Sequence, residues 1–188
     1  MTARIATAGS GPALLLAIGL WHSAALASGW PDLTTPARTV GGGEQDAAVV
    51  VGIEDYFAVP PVPGAGTNAL LWYDYLTKTR GVPPENVSLL RDADATLEEM
   101  RASADKASGR VGPGGALWFV FIGHGAPAKD GKDGLLVGAD AQQKAESLQS
   151  RSLSQGELLE TLRKSPARSI HVVLDACFSG RSPSGAAL

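Results

Sequence analysis

The stretch Ala116-Leu-Trp-Phe-Val-Phe-Ile-Gly-His-Gly125 decides the fold. Seven consecutive apolar residues are too short for a buried helix and rich in the aromatic and branched side chains that strands favour. A run with no polar alternation is the mark of a strand covered on both faces, as in a parallel sheet. Two further runs read the same way. Ala47-Ala-Val-Val-Val-Gly-Ile53 precedes it and Ser169-Ile-His-Val-Val-Leu174 follows it. Val87-Ser-Leu-Leu90 and Leu135-Leu-Val137 are shorter strand candidates. Between them lie helical signals. Leu70, Leu71, Tyr73 and Leu76 have helical spacing over 68–80, after a Pro/Gly loop spanning 54–66. Thr96-Leu-Glu-Glu99 is a capping box that opens a helix reaching about Ser108. Ser154 and Glu157 repeat that signal for a helix through Lys164, with Leu158, Leu159 and Leu162 on its apolar face. Strands alternating with capped helices predict an α/β fold with a mostly parallel central sheet and helices on both faces.

Composition bounds the function. The 188 residues are 44% hydrophobic and 19% charged, which suits a globular domain and excludes a disordered chain. A net charge of −3 argues against nucleic-acid binding through phosphate neutralisation. One cysteine excludes an internal disulfide and a thiolate zinc site. Arg4, the apolar run from Pro12 to Trp21 and the small-x-small Ala25-Leu26-Ala27 read as a signal peptide over 1–27. The expected location is periplasmic or secreted, with no membrane span after cleavage. Residues 28–46, with Pro31, Pro36 and three consecutive glycines, read as a flexible linker.

In sheets of this kind the chemistry sits at the carboxyl ends of the strands. Two strand ends carry reactive residues: His124 between Gly123 and Gly125, and Cys177 in Asp175-Ala-Cys-Phe-Ser-Gly180. Neighbouring strand ends lie about 5 Å apart, which would bring the imidazole to the thiol. An imidazole serves a cysteine nucleophile as base or as stabilising charge. The N–H groups of Gly125 and Cys177 are then candidates for an oxyanion hole. Asp175 stands two residues before Cys177 and so shares its side of the strand. After an apolar run it is costly unless paired or hydrated, or it caps the next turn. His171 lies within a strand and reads as a core or sheet-face residue. The Lys129-Asp-Gly-Lys-Asp-Gly134 loop resembles a calcium loop only loosely and lacks its ligand count, so no metal site is assigned. Cys177 with Arg181 makes too short a loop for a phosphatase, and neither a Gly-x-Ser-x-Gly elbow nor a Walker loop is present in the sequence.

The pairing of Phe121-Ile-Gly-His-Gly125 with Asp175-Ala-Cys-Phe-Ser-Gly180 resembles the caspase-like cysteine peptidases, metacaspases and their bacterial relatives in particular. His124 and Cys177 stand 53 residues apart, in line with the roughly 50 of caspases. The order of Val49–Ile53, Gly81–Val87 with Leu89, Leu90 and Asp94–Thr96, and Asp133–Asp140 is similar as well, so the resemblance covers 47–188. It implies a caspase-like three-layer sandwich and peptide-bond hydrolysis by a Cys177/His124 dyad. Asp175 would line a substrate pocket for a basic residue. Asn68 would stand where the family commonly has a second pocket aspartate, which weakens the expected preference for Arg and Lys. The resemblance implies no cofactor, although some metacaspases depend on calcium. The sequence stops 11 residues after Cys177, where the family continues into its small subunit. The expectation is therefore a peptidase domain truncated at its C-terminus, with a peptide or protein substrate and a separate small-subunit chain as conceivable partners. An inactive caspase-like binding module is the competing reading. A third is an unrelated doubly wound domain whose cysteine is merely buried.

Overall fold

The computed structural model describes residues 40–178. The expected signal peptide, most of the expected linker and residues 179–188 lie outside them. β1 (Ala47–Gly52) is followed by α1 (Ala65–Asp74), β2 (Val87–Arg91), α2 (Leu97–Arg110) and β3 (Ala116–Ile122). Then come β4 (Gly125–Pro127), β5 (Gly134–Val137), α3 (Ala145–Ser150), β6 (Ser152–Ser154), α4 (Gln155–Arg163) and β7 (Ser169–Asp175). The main sheet has the order β2-β1-β3-β7 and every pairing in it is parallel.

Alternation along the two central strands builds the layers. Val49, Val51, Leu117, Phe119 and Phe121 face a core shared with Leu97 and Met100 of α2 and Leu158 and Leu162 of α4. Ala48, Val50, Val120 and Ile122 face Ala65 and Ala69 of α1. The result is a three-layer α/β sandwich, the continuous apolar runs serving two cores at once. Thr96 caps α2 by accepting from the Glu99 N–H at 3.3 Å, and Ser154 caps α4 by accepting from the Glu157 N–H at 3.1 Å. α1 begins at Ala65, ahead of the expected Asn68. It starts from Gly64, held at φ +88°, and runs on into a π-helical turn over Tyr75–Thr79. A Cβ on Gly52 would overlap the Ala69 Cβ and lie 2.7 Å from the Ala65 carbonyl oxygen. Gly52→Val therefore forces α1 off the sheet and lowers stability by at least about 2 kcal/mol, measurable by urea unfolding.

The expected linker needs a correction at its end. Residues 40–46 are tied into the domain: the Val40 and Gly41 N–H groups donate to the Thr79 carbonyl, and the Gln45 carbonyl accepts from the Gly112 N–H. Asp46 is buried. Its carboxylate accepts from the Ala116 N–H at 2.7 Å, the Trp118 indole at 3.2 Å and Arg80 at 3.0 Å. A Gly-rich stretch with isolated charges reads as a linker only because hydrogen bonds to distant residues leave no local periodicity.

β4, β5 and β6 form a small antiparallel sheet that the apolar runs did not announce, apart from the centre of β5. β7 forms one edge of the main sheet. It is half-exposed along its length and, among the described residues, pairs only with β3. His171 lies on the sheet face and stacks on its register partner Trp118 at 4.1 Å. No described helix is long and apolar enough to cross a membrane.

Candidate functional site

The strand order reverses between β1 and β3. β2 lies to one side of β1, while β3 and β7 lie to the other. The crevice at such a switch lies outside the carboxyl ends of the two strands, where the connections leave them in opposite directions. His124 and Cys177 both lie at that end. The register pairs Ile122 with Asp175, and the Gly123 N–H extends the ladder by donating to the Asp175 carbonyl at 3.2 Å. Continued by two residues beyond the Ile122–Asp175 pair, that register sets His124 at the end of β3 against Cys177 at the end of β7. Cys177 is exposed, which speaks against the reading of a merely buried cysteine.

His124 is only 5% exposed and its imidazole is oriented from one side. Its Nε2 lies 2.8 Å from the Pro60 carbonyl oxygen. A carbonyl can only accept, so Nε2 carries the hydrogen and Nδ1 keeps its lone pair. Burial pushes the imidazole below its ordinary value near 6.5, and the hydrogen bond to Pro60 opposes that in part. The ring is thus held neutral near pH 7, with Nδ1 as the proton acceptor.

Gly125 opens β4 directly after His124. The Val137 N–H donates to the His124 carbonyl at 3.0 Å, and the register places Gly125 opposite Leu136. The alternation of an antiparallel ladder then turns the Gly125 N–H away from β5. A Cβ on Gly125 would lie 2.8 Å from the Cys177 carbonyl oxygen and 2.7 Å from the Phe178 ring. The chain around Cys177 therefore packs directly on the Gly125 backbone, which only glycine permits. A Cβ on Gly134, in β5, would also meet the Phe178 ring, at 3.0 Å. Phe178 is seated across both glycines.

Asp175 ends β7 with an exposed side chain, on the strand that delivers Cys177. Asn68 is exposed in the first turn of α1, above the end of β1. β3 separates the strand beneath Asn68 from the strand of Asp175. The arrangement thus brings His124, Gly125, Cys177 and Asp175 to one place, with Asn68 at the same end of the sheet but over another strand. Among the described residues no group of three His, Cys, Asp or Glu side chains is gathered as a metal would need. In the 129–134 loop, Asp130 accepts from the Lys132 N–H, and Asp133 from the N–H groups of Gly134 and Gly156. Those carboxylates shape turns.

Two participants escaped the sequence reading. Pro60 contributes a backbone carbonyl, which no residue type betrays. Tyr56 lies in the loop after β1, and its hydroxyl accepts the His124 backbone N–H at 2.8 Å. An aromatic residue in the loop at a strand's carboxyl end was the one signal available.

No protein-family model and no curated protein matches the sequence. Among solved structures, the chain is similar to the crystal structure of protein GSU0716 from Geobacter sulfurreducens. The TM-score is 0.56 and the identity 19%, over 71% of this chain and 51% of that one. The chain therefore spans about half the length of that structure. The likeness bears on the α/β fold alone.

Proposed function

We propose that the chain is a caspase-like cysteine endopeptidase with Cys177 as nucleophile and His124 as its proton carrier. The observation that carries this reading is a buried imidazole, its Nε2 fixed 2.8 Å from the Pro60 carbonyl oxygen, at the strand end next to that of an exposed cysteine. The Cys177 thiol gives its proton to His124 Nδ1 as sulfur attacks the scissile carbonyl. The developing oxyanion is taken by the N–H groups of Gly125 and Cys177. His124 returns the proton to the departing amine, and water then releases the acyl group from sulfur with the same residue as base. The exposed carboxylate of Asp175 favours a basic residue before the scissile bond, and Asn68 supplies a neutral polar group. These steps draw on the chain's own residues, and calcium dependence is a variable of the assay below. Export by the 1–27 segment, to the periplasm or beyond, remains part of this proposal.

The half-exposed edge of β7 favours a second element beside the dyad, in the position of a small subunit. Without it, the chain would act as a binding module. The test is hydrolysis of fluorogenic peptides bearing Arg, Lys, Asp or Ala before the cleaved bond, with and without calcium. Cleavage that prefers Arg or Lys supports the reading. A folded, thiol-accessible chain that cleaves none of them overturns it for this chain alone.

The same assay fixes the pH dependence. The base must be neutral to accept the thiol proton, and burial lowers its pKa. The acid limb of activity is thus expected to have its midpoint below the ordinary imidazole value of 6.5. An acid limb centred at or above 6.5 contradicts the assignment of His124 as base.

A further inference from the structure

We propose that Tyr56 and Asp92 together form a positioning device that holds the His124 turn from the opposite side to Cys177. This rests on the peptidase reading for its catalytic meaning, but not for its geometry.

Tyr56 Oη accepts the His124 backbone N–H at 2.8 Å, and the two rings lie 5.0 Å apart at centroid, tilted by 47°. Gly123 is pressed against the same hydroxyl: a Cβ there would lie 2.5 Å from Oη. Burial pushes the phenol well above its ordinary value; the His124 N–H opposes this and the Asp92 carboxylate adds to it. The group stays a neutral hydroxyl and can accept from a backbone N–H without competing for the imidazole proton.

Tyr56 is itself bracketed. On one side, Asp92 Oδ1 accepts from the N–H groups of Glu54 at 2.8 Å and Asp55 at 3.0 Å. On the other, the Phe57 N–H donates to the Ala139 carbonyl at 3.0 Å. Asp92 follows β2 and sits at φ +45°, the left-handed region that non-glycine residues seldom occupy. Strain of this kind persists where surrounding bonds over-determine it, and it gathers at functional sites. Here it aims a carboxylate from the end of β2 at the loop leaving β1. That loop then grips His124 twice, through Tyr56 at the main chain and through Pro60 at the ring. Tyr56 and Asp92 are positioning residues: neither is placed against a substrate.

The test uses the full chain and Tyr56→Phe, which deletes only the hydroxyl. The first readout is the solvent exchange of the His124 Nε2 proton by NMR, which needs no peptidase activity. The second is the split of kcat from KM. Proton exchange at Nε2 should quicken about tenfold, and kcat should fall about tenfold with KM within about twofold. A folded Tyr56→Phe chain with unchanged exchange overturns the proposal. Should that chain not fold, Asp92 carries the test. Asp92→Asn keeps an acceptor oxygen and tolerates left-handed backbone, whereas Asp92→Ala does neither. Exchange quickening in the order wild type, Asn, Ala supports the device. Equal exchange in all three overturns it. If no chain hydrolyses any peptide, the NMR result still decides the positioning role, while the peptidase reading alone falls.

Discussion

Cys177→Ala should remove the proposed peptide hydrolysis, by at least about 10⁴-fold in kcat, while the chain unfolds at the same denaturant concentration as the wild type. The magnitude follows from the role. Without sulfur there is no acyl intermediate, and a neighbouring imidazole cannot replace a missing nucleophile. Stability should not move, because Cys177 is exposed and lies beyond the last strand pair. His124→Ala should cost less, about 10²–10³-fold, because the thiol remains and loses only its proton carrier. The pair of results is informative as a pair. Equal small losses would mean that neither residue touches the chemistry. A Cys177→Ala chain as active as the wild type would move the reaction elsewhere.

The second large effect is on stability, at the opposite end of the sheet. Asp46→Ala should lower unfolding free energy by roughly 3 kcal/mol, about 10 °C in Tm. Three donors lose their acceptor together: the Ala116 N–H at the start of β3, the Trp118 indole and the Arg80 guanidinium. Arg80 also lies over the Trp118 ring at 5.7 Å, so it would stay near its site without its counter-charge. Asp46→Asn keeps an acceptor oxygen and should lose less than half as much. Thermal unfolding of both variants checks this, and an Asp46→Ala chain as stable as the wild type would contradict it.

These two residues show what a sequence discloses and what it hides. Cys177 and His124 were legible because each ends a strand whose apolar run is long enough to recognise, and because glycines flank the histidine. β1 and β3 were legible for the same reason, since strands buried on both faces carry no polar residues to confuse the period, whereas β2 and β7 showed as apolar runs interrupted by Ser88 and His171. Asp46 was hidden. Its partners lie more than thirty residues away, and nothing in a Gly-rich segment distinguishes a buried carboxylate from a solvated one. β4 and β6 were hidden by brevity, since three residues show no period. The start of α1 was misplaced because Gly64 and Ala65 offer no side-chain cap. Tyr56 fell in a loop read only for its prolines and glycines.

The parallel pairing of β3 with β7 has a consequence in time. Ala116 meets Ser169, and the intervening chain must first make a second sheet and two helices. Pairings of such long sequence separation are slow to form and are absent from early, local intermediates. A chain still emerging from the ribosome holds His124 long before it holds Cys177 beside it. On the proposed peptidase reading, the nucleophile would gain its base only when the far strand has zipped into register, and a half-made chain could not digest its neighbours or itself.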